Sequence, residues 1–375
     1  VKVLHVAQSS EYGLGRYLAD LVADQAGRGW DVAVAGHPQS WLRPEALAAG
    51  ATWHDWSATR QPGPSVLGEA RALARVVADV APDVVHLHSS KAGLAGRLAI
   101  RGRRPTIFQP HAWSFLPLSG GLRAGAVGWE RLAARWADAI VCCSQAEQVL
   151  GAAHGVRARE WQVVKNAVDT DRYLPGDSHA ARARLGWPAD VPLVVCAGRV
   201  AVAQKGQDRL LAAWPLVEAA VPGARLAVVG DGPDRAALER DAPASVSFVG
   251  HQDDVVAWLQ AADVVVQPSR YEGLSLVVLE ALAVGRPVVA TDAVGMREAI
   301  CEDGDGQGPA AGAVVPPEDP AGLADAMTVR LRDPGQRLRE GQAGRERAVR
   351  SHDLRSWGQQ LAAVTAAVAG HTSGG

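Results

Sequence analysis

Two glutamates, Glu272 and Glu280, are separated by seven residues, and Gly273-Leu274-Ser275 follows the first of them. The run Asp263 to Gln267, closed by Pro268, reads as a buried strand. Beyond it an apolar helix is expected to start with Ser275 at its N-cap. Glu272 then falls just outside the helix, and Glu280 inside it among Leu276, Val277, Leu279 and Leu282. An ionised carboxylate in apolar company is costly unless something hydrogen-bonds to it. Ligand hydroxyls would serve, and the free N–H groups at a helix start attract an anion. Acid, anion-binding turn, acid is an arrangement suited to a sugar nucleotide. The bland alternative makes Glu280 a structural carboxylate paired with an arginine and Glu272 a solvated loop residue.

Two cations lie on another loop. Gly198-Arg199-Val200-Ala201-Val202-Ala203-Gln204-Lys205-Gly206 follows the strand-like Leu193–Cys196 and leads into a helix. A diphosphate leaving group gains negative charge as its bond to a sugar breaks, and fixed cations stabilise that change. Ordinary surface cations are the competing reading. In Val85-His86-Leu87-His88 the two histidines share one face of a strand. A metal site needs further ligands; none is obvious nearby, so the pair is expected to line a cleft and the chain to have no metal site. The loop Ser9-Ser10-Glu11-Tyr12-Gly13-Leu14-Gly15-Arg16 could admit a phosphate, but as a dinucleotide fingerprint it lacks the third glycine. The second strand ends in Ala35-Gly36-His37 without the acid that a ribose needs, which disfavours a nicotinamide oxidoreductase. Asp303-Gly304-Asp305 sits in a glycine-rich stretch and reads as a solvated turn.

What must position these groups is an alternation of short apolar strands with amphipathic helices. In the first half Val3–Ala7, Val32–Ala35, Val84–His88, Ile107–Phe108 and Ile140–Cys143 read as strands, with helices such as Tyr17–Gly27 and Val66–Val80 between them. In the second, Leu193–Cys196, Leu226–Val229, Val246–Val249, Val264–Val266, Val288–Ala290 and Val314–Val315 repeat the pattern. Such alternation predicts an α/β protein with parallel sheets covered on both faces and ligands at the carboxyl ends of the strands. The 375 residues suffice for two or three domains, and 48% are hydrophobic, enough for sizeable cores. A net charge of -2 argues against a nucleic-acid partner. Four cysteines without a Cys-x-x-Cys pair suit a reducing compartment and offer no zinc framework. With no long apolar span and no signal peptide, a cytoplasmic protein is expected. The segment 113–129 is unusually apolar for a loop, and reads either as a surface meeting a membrane or as a buried lid or part of the domain core.

The spacing from Glu272 to Glu280, with Gly-Leu-Ser after the first acid, resembles the signature of retaining glycosyltransferases of family 4. The likeness covers nearly the whole chain and is densest in the second half. Trp161 to Asp169 is similar to the family's strand and Asn-Gly-Val-Asp linker, with Ala167 in place of glycine, and Gly230-Asp231-Gly232-Pro233 matches a further segment. The resemblance implies the GT-B fold, two Rossmann-like domains whose parallel sheets face across a cleft. It divides the chain into an acceptor-binding domain over 1–170, a nucleotide-sugar domain over 171–355, and a helix and tail over 356–375 that cross back to the first domain. Arg199 and Lys205 would then stabilise the departing diphosphate, Glu272 bind hydroxyls of the donor sugar and Glu280 those of the ribose. Gly273, Leu274 and Ser275 would supply backbone N–H groups, Gly13 approach the donor phosphate, and backbone around Val249 and His251 meet the base. His111 would touch the sugar near its anomeric carbon. No cofactor is implied beyond the nucleotide-diphosphate sugar substrate, with UDP the commonest nucleotide. The acceptor would be a small or lipid-linked molecule, with peripheral contact at the inner membrane face through the N-terminal domain. A nucleotide-sugar epimerase or phosphorylase of the same architecture, and a non-catalytic sugar-nucleotide binder, are the rival readings.

Overall fold

The computed structural model describes residues 1–8, 12–59, 63–301 and 309–370. Two compact units account for the chain, one built from Val1–Lys165 with Arg355–Gly375 and the other from Asn166–Leu354. The first carries a seven-stranded sheet of β1 (Lys2–Ala7), β2 (Asp31–Gly36), β3 (Thr52–Asp55), β4 (Val84–His88), β5 (Thr106–Gln109), β6 (Ala139–Cys142) and β7 (Glu160–Val163). Every pairing is parallel, and the spatial order is β3-β2-β1-β4-β5-β6-β7. The second carries β8 (Leu193–Ala197), β9 (Arg225–Val229), β10 (Val246–Gly250), β11 (Val264–Gln267), β12 (Val288–Thr291) and β13 (Gly312–Val315), again all parallel, in the order β10-β9-β8-β11-β12-β13. Each is a doubly wound Rossmann-like sheet whose order reverses once, at β1/β4 and at β8/β11. Ligands of such sheets bind beyond the strand ends at the reversal.

The strands are short and apolar because helices cover both faces. On β1 and β4, Leu4, Val6, Val85 and Leu87 enter a core shared with Leu73 and Val77 of the helix Val66–Val80 and Ala92, Ala95 and Ala99 of the helix Ser89–Ile100. The alternate residues His5, His86 and His88 face the other way and are also fully buried. They do not line an open cleft. The helix Tyr12–Gly27 covers them, and the last helix, Leu354–Gly370, sets Trp357 edge-on to Tyr17, with ring centroids 4.9 Å apart.

The apolar segment 113–129 is not a continuous loop: Gly120–Ala133 forms a helix. Its buried Glu130 accepts from Arg97 at 2.8 Å and from Ser114 at 2.7 Å, while Leu122 is 74% exposed. No helix among the described residues is long and apolar enough to cross a membrane. Asp303-Gly304-Asp305 and Ser9-Ser10-Glu11 lie outside the described residues.

Candidate active site

At the β8/β11 reversal two loops meet. The short helix Val202–Lys205 ends in Gly206, whose φ of 65° is left-handed, and a side chain there would strike the Pro268 carbonyl. That close approach brings Lys205 against the turn after β11, where Lys205 Nζ donates to Glu272 Oε1 at 2.5 Å. Glu272 is buried, and the same oxygen also accepts from Ser269 at 2.7 Å. Burying a charge is costly unless it is paired and hydrogen-bonded, and this one is both. Arg270, next door, forks onto Asp208 with two bonds of 2.7 Å, which holds the Asp208 carboxyl below its usual range. Gln204 accepts from the Arg270 backbone N–H at 2.7 Å, so the two loops are tied at main-chain level as well.

The turn Gly273-Leu274-Ser275 is buried and opens the helix Leu276–Ala283. Ser275 stands at the N-cap with extended backbone, but its side chain makes no capping bond. The first N–H groups of a helix lack intrahelical partners, and a helix start of this kind attracts an anion. Asn166 donates to the Leu274 carbonyl at 2.7 Å and fixes the turn from below. The sequence pointed to the acids here and not to this asparagine, although the Asn-Ala-Val-Asp stretch was its signal.

The two acids differ from expectation in surroundings. Glu280, expected to be enclosed by leucines, is half-buried and accepts from Tyr173 OH at 2.9 Å, while Glu272 is the enclosed one. Arg199 lies half-buried on the loop after β8, and its carbonyl accepts from Gln207 at 2.8 Å. Val249 precedes the end of β10, and its carbonyl accepts from Gln252 at 2.8 Å. The His251 side chain is 72% exposed beside Asp253.

The remaining two expected residues belong to the first unit. Gly13 is exposed in the first turn of the helix Tyr12–Gly27. His111 follows β5 with φ of 52°, and Ala112 with φ of 103°, a backbone region that costs non-glycine residues energy and persists only where the surroundings impose it. Glu147 imposes it. Its fully buried carboxylate accepts from the Ala112 N–H at 2.7 Å and from the Cys143 N–H at 2.8 Å. Burial raises the Glu147 pKa above the usual carboxylate range, against the pull of these N–H groups. In sequence Ser144-Gln145-Ala146-Glu147 looks like a helix-capping box, and Ser144 does accept from the Glu147 N–H at 3.1 Å. The reach of the glutamate to Ala112 was not legible. The His111 ring packs edge-on to Tyr17 at 4.7 Å and faces His88, Nε2 to Nδ1, at 3.1 Å. Burial pushes the His111 pKa down to about 3, so the ring is neutral.

Comparison with known proteins identifies the family. Residues 12–172 match the family described as Glycosyltransferase Family 4, and residues 191–333 match Glycosyl transferases group 1. The chain is 30% identical over 328 residues to an alpha-maltose-1-phosphate synthase of Mycolicibacterium smegmatis, covering 79% of this chain and 83% of that one. It is 36% identical over 195 residues to a GDP-mannose-dependent monoacylated alpha-(1-6)-phosphatidylinositol monomannoside mannosyltransferase of Corynebacterium glutamicum. That match spans 48% of this chain and only about half the length of the relative, 49%. The fold is shared with Anabaena HepE in complex with UDP and glucose, with a TM-score of 0.81 at 22% identity over 98% of this chain and 99% of that one. Two matched halves, a full-length fold and a relative covered over most of its length lead to one conclusion: the chain belongs to the family 4 glycosyltransferases of GT-B fold.

Proposed function

We propose that the protein transfers a sugar from a nucleoside-diphosphate sugar to an acceptor with retention of anomeric configuration, and that the transfer itself uses no metal ion. The observation that carries this reading is the buried Glu272 paired with half-buried Lys205 beside a helix start without a side-chain cap. In the donor complex Lys205 and Arg199 meet the diphosphate, whose charge grows as the glycosidic bond breaks. The N–H groups of Gly273, Leu274 and Ser275 add to that field. Glu272 uses its second oxygen for hydroxyls of the sugar, and Glu280 takes those of the ribose. Backbone near Val249 and His251 takes the base, a UDP-sugar being the first candidate and GDP-mannose the second, since a relative is named for it. The first unit receives the acceptor, a small or lipid-linked molecule, with Gly13 near the phosphate. There the neutral His111 orients the sugar. The acceptor attacks from the face that the diphosphate leaves, and the leaving phosphate oxygen takes up its proton.

The test is a panel of nucleotide sugars screened for thermal stabilisation, since a bound donor raises the melting temperature by mass action. The stabilising donor is then incubated with candidate acceptors in chelator, and the anomeric configuration of the product is read by proton NMR. An inverted product, or donor conversion that needs no acceptor, would overturn the reading. So would stabilisation without either transfer or slow donor hydrolysis.

A further inference from the structure

β1 and β4 are neighbours only because the strand order reverses between them. That pairing puts His5 directly beside His86, with His88 two residues further along the same face, and all three are 0% exposed. One ring nitrogen from each lies within 4.8 Å of those of the other two. A core histidine normally satisfies its ring by hydrogen bonding, and two of the three do so. His5 Nε2 faces Gln25 Oε1 at 2.7 Å, His5 Nδ1 faces His88 Nε2 at 3.0 Å, and His88 Nδ1 faces His111 Nε2 at 3.1 Å. His86 is the exception. Neither of its ring nitrogens has a hydrogen bond of ordinary geometry, although the ring stacks on His88 with centroids 4.0 Å apart. A buried polar group left unmet is costly, and an apolar side chain at this strand position would avoid that cost. Hydrogen bonding thus explains His5 and His88, whereas His86 has only a loose contact with the Gln109 side chain, too poorly aligned to count as an ordinary hydrogen bond.

We propose that His5, His86 and His88 form a three-imidazole site for a late first-row metal ion, zinc being the type. Imidazole nitrogens without a carboxylate suit zinc and its neighbours rather than magnesium or calcium. The Gln25 amide oxygen can only accept, so His5 carries its proton on Nε2 and turns the Nδ1 lone pair toward the other two rings. A ligating histidine usually has its far nitrogen held in this way. His88 has the matching arrangement in reverse, with Nδ1 toward His111 and Nε2 toward His5. An ion at about 2.0–2.1 Å from each nitrogen in tetrahedral geometry needs ligand nitrogens roughly 3.4 Å apart. The His5–His88 separation of 3.0 Å is within a few tenths of an ångström of that, and the nitrogens paired with His86 lie within 4.8 Å, so His86 is the ring that closes in on the ion. Burial keeps all three rings neutral, the state a metal requires. With the ion on Nε2, His88 must hold its proton on Nδ1 and donate it to His111, whose own proton moves from Nε2 to Nδ1. No net proton is released. Three imidazoles leave the fourth tetrahedral position open.

The full chain, stripped with chelator, is titrated with Co(II), which shows strong visible d–d bands when tetrahedral; the readout does not depend on transfer. We expect saturation at one equivalent per chain and displacement of the colour by Zn(II). His86→Leu should weaken Co(II) binding at least tenfold while the apo variant still unfolds cooperatively, and His86→Phe, closer in size to the native ring, should do the same. A surface control, His37→Ala, should bind as wild type does. Absence of the tetrahedral spectrum in the wild type would overturn the site, and so would full-strength binding in either folded His86 variant.

Discussion

Lys205 Nζ and Glu272 Oε1 stand 2.5 Å apart, so the cation proposed for the leaving group and the acid proposed for the sugar hold each other before any donor arrives. Glu272 is the more enclosed partner, its side chain 8% exposed against 17% for Lys205. Lys205→Ala therefore strands a buried carboxylate, whereas removing both groups does not. Lys205→Ala should cost up to about 3 kcal/mol in urea unfolding, and adding Glu272→Ala should restore part of that loss. Each single variant should lower transfer at least tenfold, on the order of a lost charge-stabilising group. Additive unfolding energies would mean that the pair is not coupled.

Asn166 holds the Leu274 carbonyl from a position remote in sequence. Asn166→Ala should weaken donor binding about fivefold to tenfold by loosening the turn, the loss of roughly one buried hydrogen bond. Asn166→Asp should be worse, because a carboxylate oxygen would then face the carbonyl. Calorimetry with UDP or GDP checks the order; equal affinity for the alanine variant and wild type would remove Asn166 from the donor site.

Glu147 accepts from two backbone N–H groups, one on each oxygen. Glu147→Gln turns an amide NH2 toward one of those donors. A loss of about 1–3 kcal/mol in stability is expected, with transfer reduced because the His111–Ala112 turn is no longer imposed. A crystal structure of the variant with His111 still at positive φ would show that the turn does not depend on the carboxylate.

Acid should unfold the first unit early. In chelator, His5 and His111 have folded pKa values pushed by burial to about 4 and about 3, and His86 and His88 lie well below 6.5. The groups packed on them, Gln25, Gln109 and Trp357, are uncharged, and burial raises the pKa of Tyr17, which stays neutral. Below pH 6.5 the unfolded chain takes up protons that the folded one refuses. Each ring then removes up to about 1.4 kcal/mol of stability per pH unit, and stability returns as the pH rises through 6.5. Urea midpoints between pH 5 and 7.5 should show this slope, and His86→Leu should reduce it by about one proton. A flat profile would mean that the rings are protonated in the folded state.

Much of this architecture was legible because a parallel sheet covered on both faces writes itself as short apolar runs, and strands β8 to β13 each coincide with one. The edge strand β3, Thr52-Trp53-His54-Asp55, has no such run because much of it faces solvent. Glycines at 120, 121, 125 and 128 lower helix propensity and hid the helix Gly120–Ala133, whose Glu130 pairs with the buried Arg97. The acids at 272 and 280 were visible from their spacing, but which was enclosed depended on Tyr173 and Lys205, both far off in sequence, as well as on Ser269 three residues before Glu272. His86 and His88 lacked a third ligand in the sequence because His5 is brought to them only by strand order. The metal reading therefore rests on topology, not on spacing.

The first unit is split in sequence: residues 355–370 complete it, with Trp357 and Leu361 buried against its helices, while the second unit is one continuous stretch. A ribosome adds about 5–20 residues per second. The amino-terminal half thus waits tens of seconds, unfinished, while the domain encoded after it is made and can fold whole. During synthesis the part translated first is the part completed last, and its unsealed flank is where a chaperone would be needed.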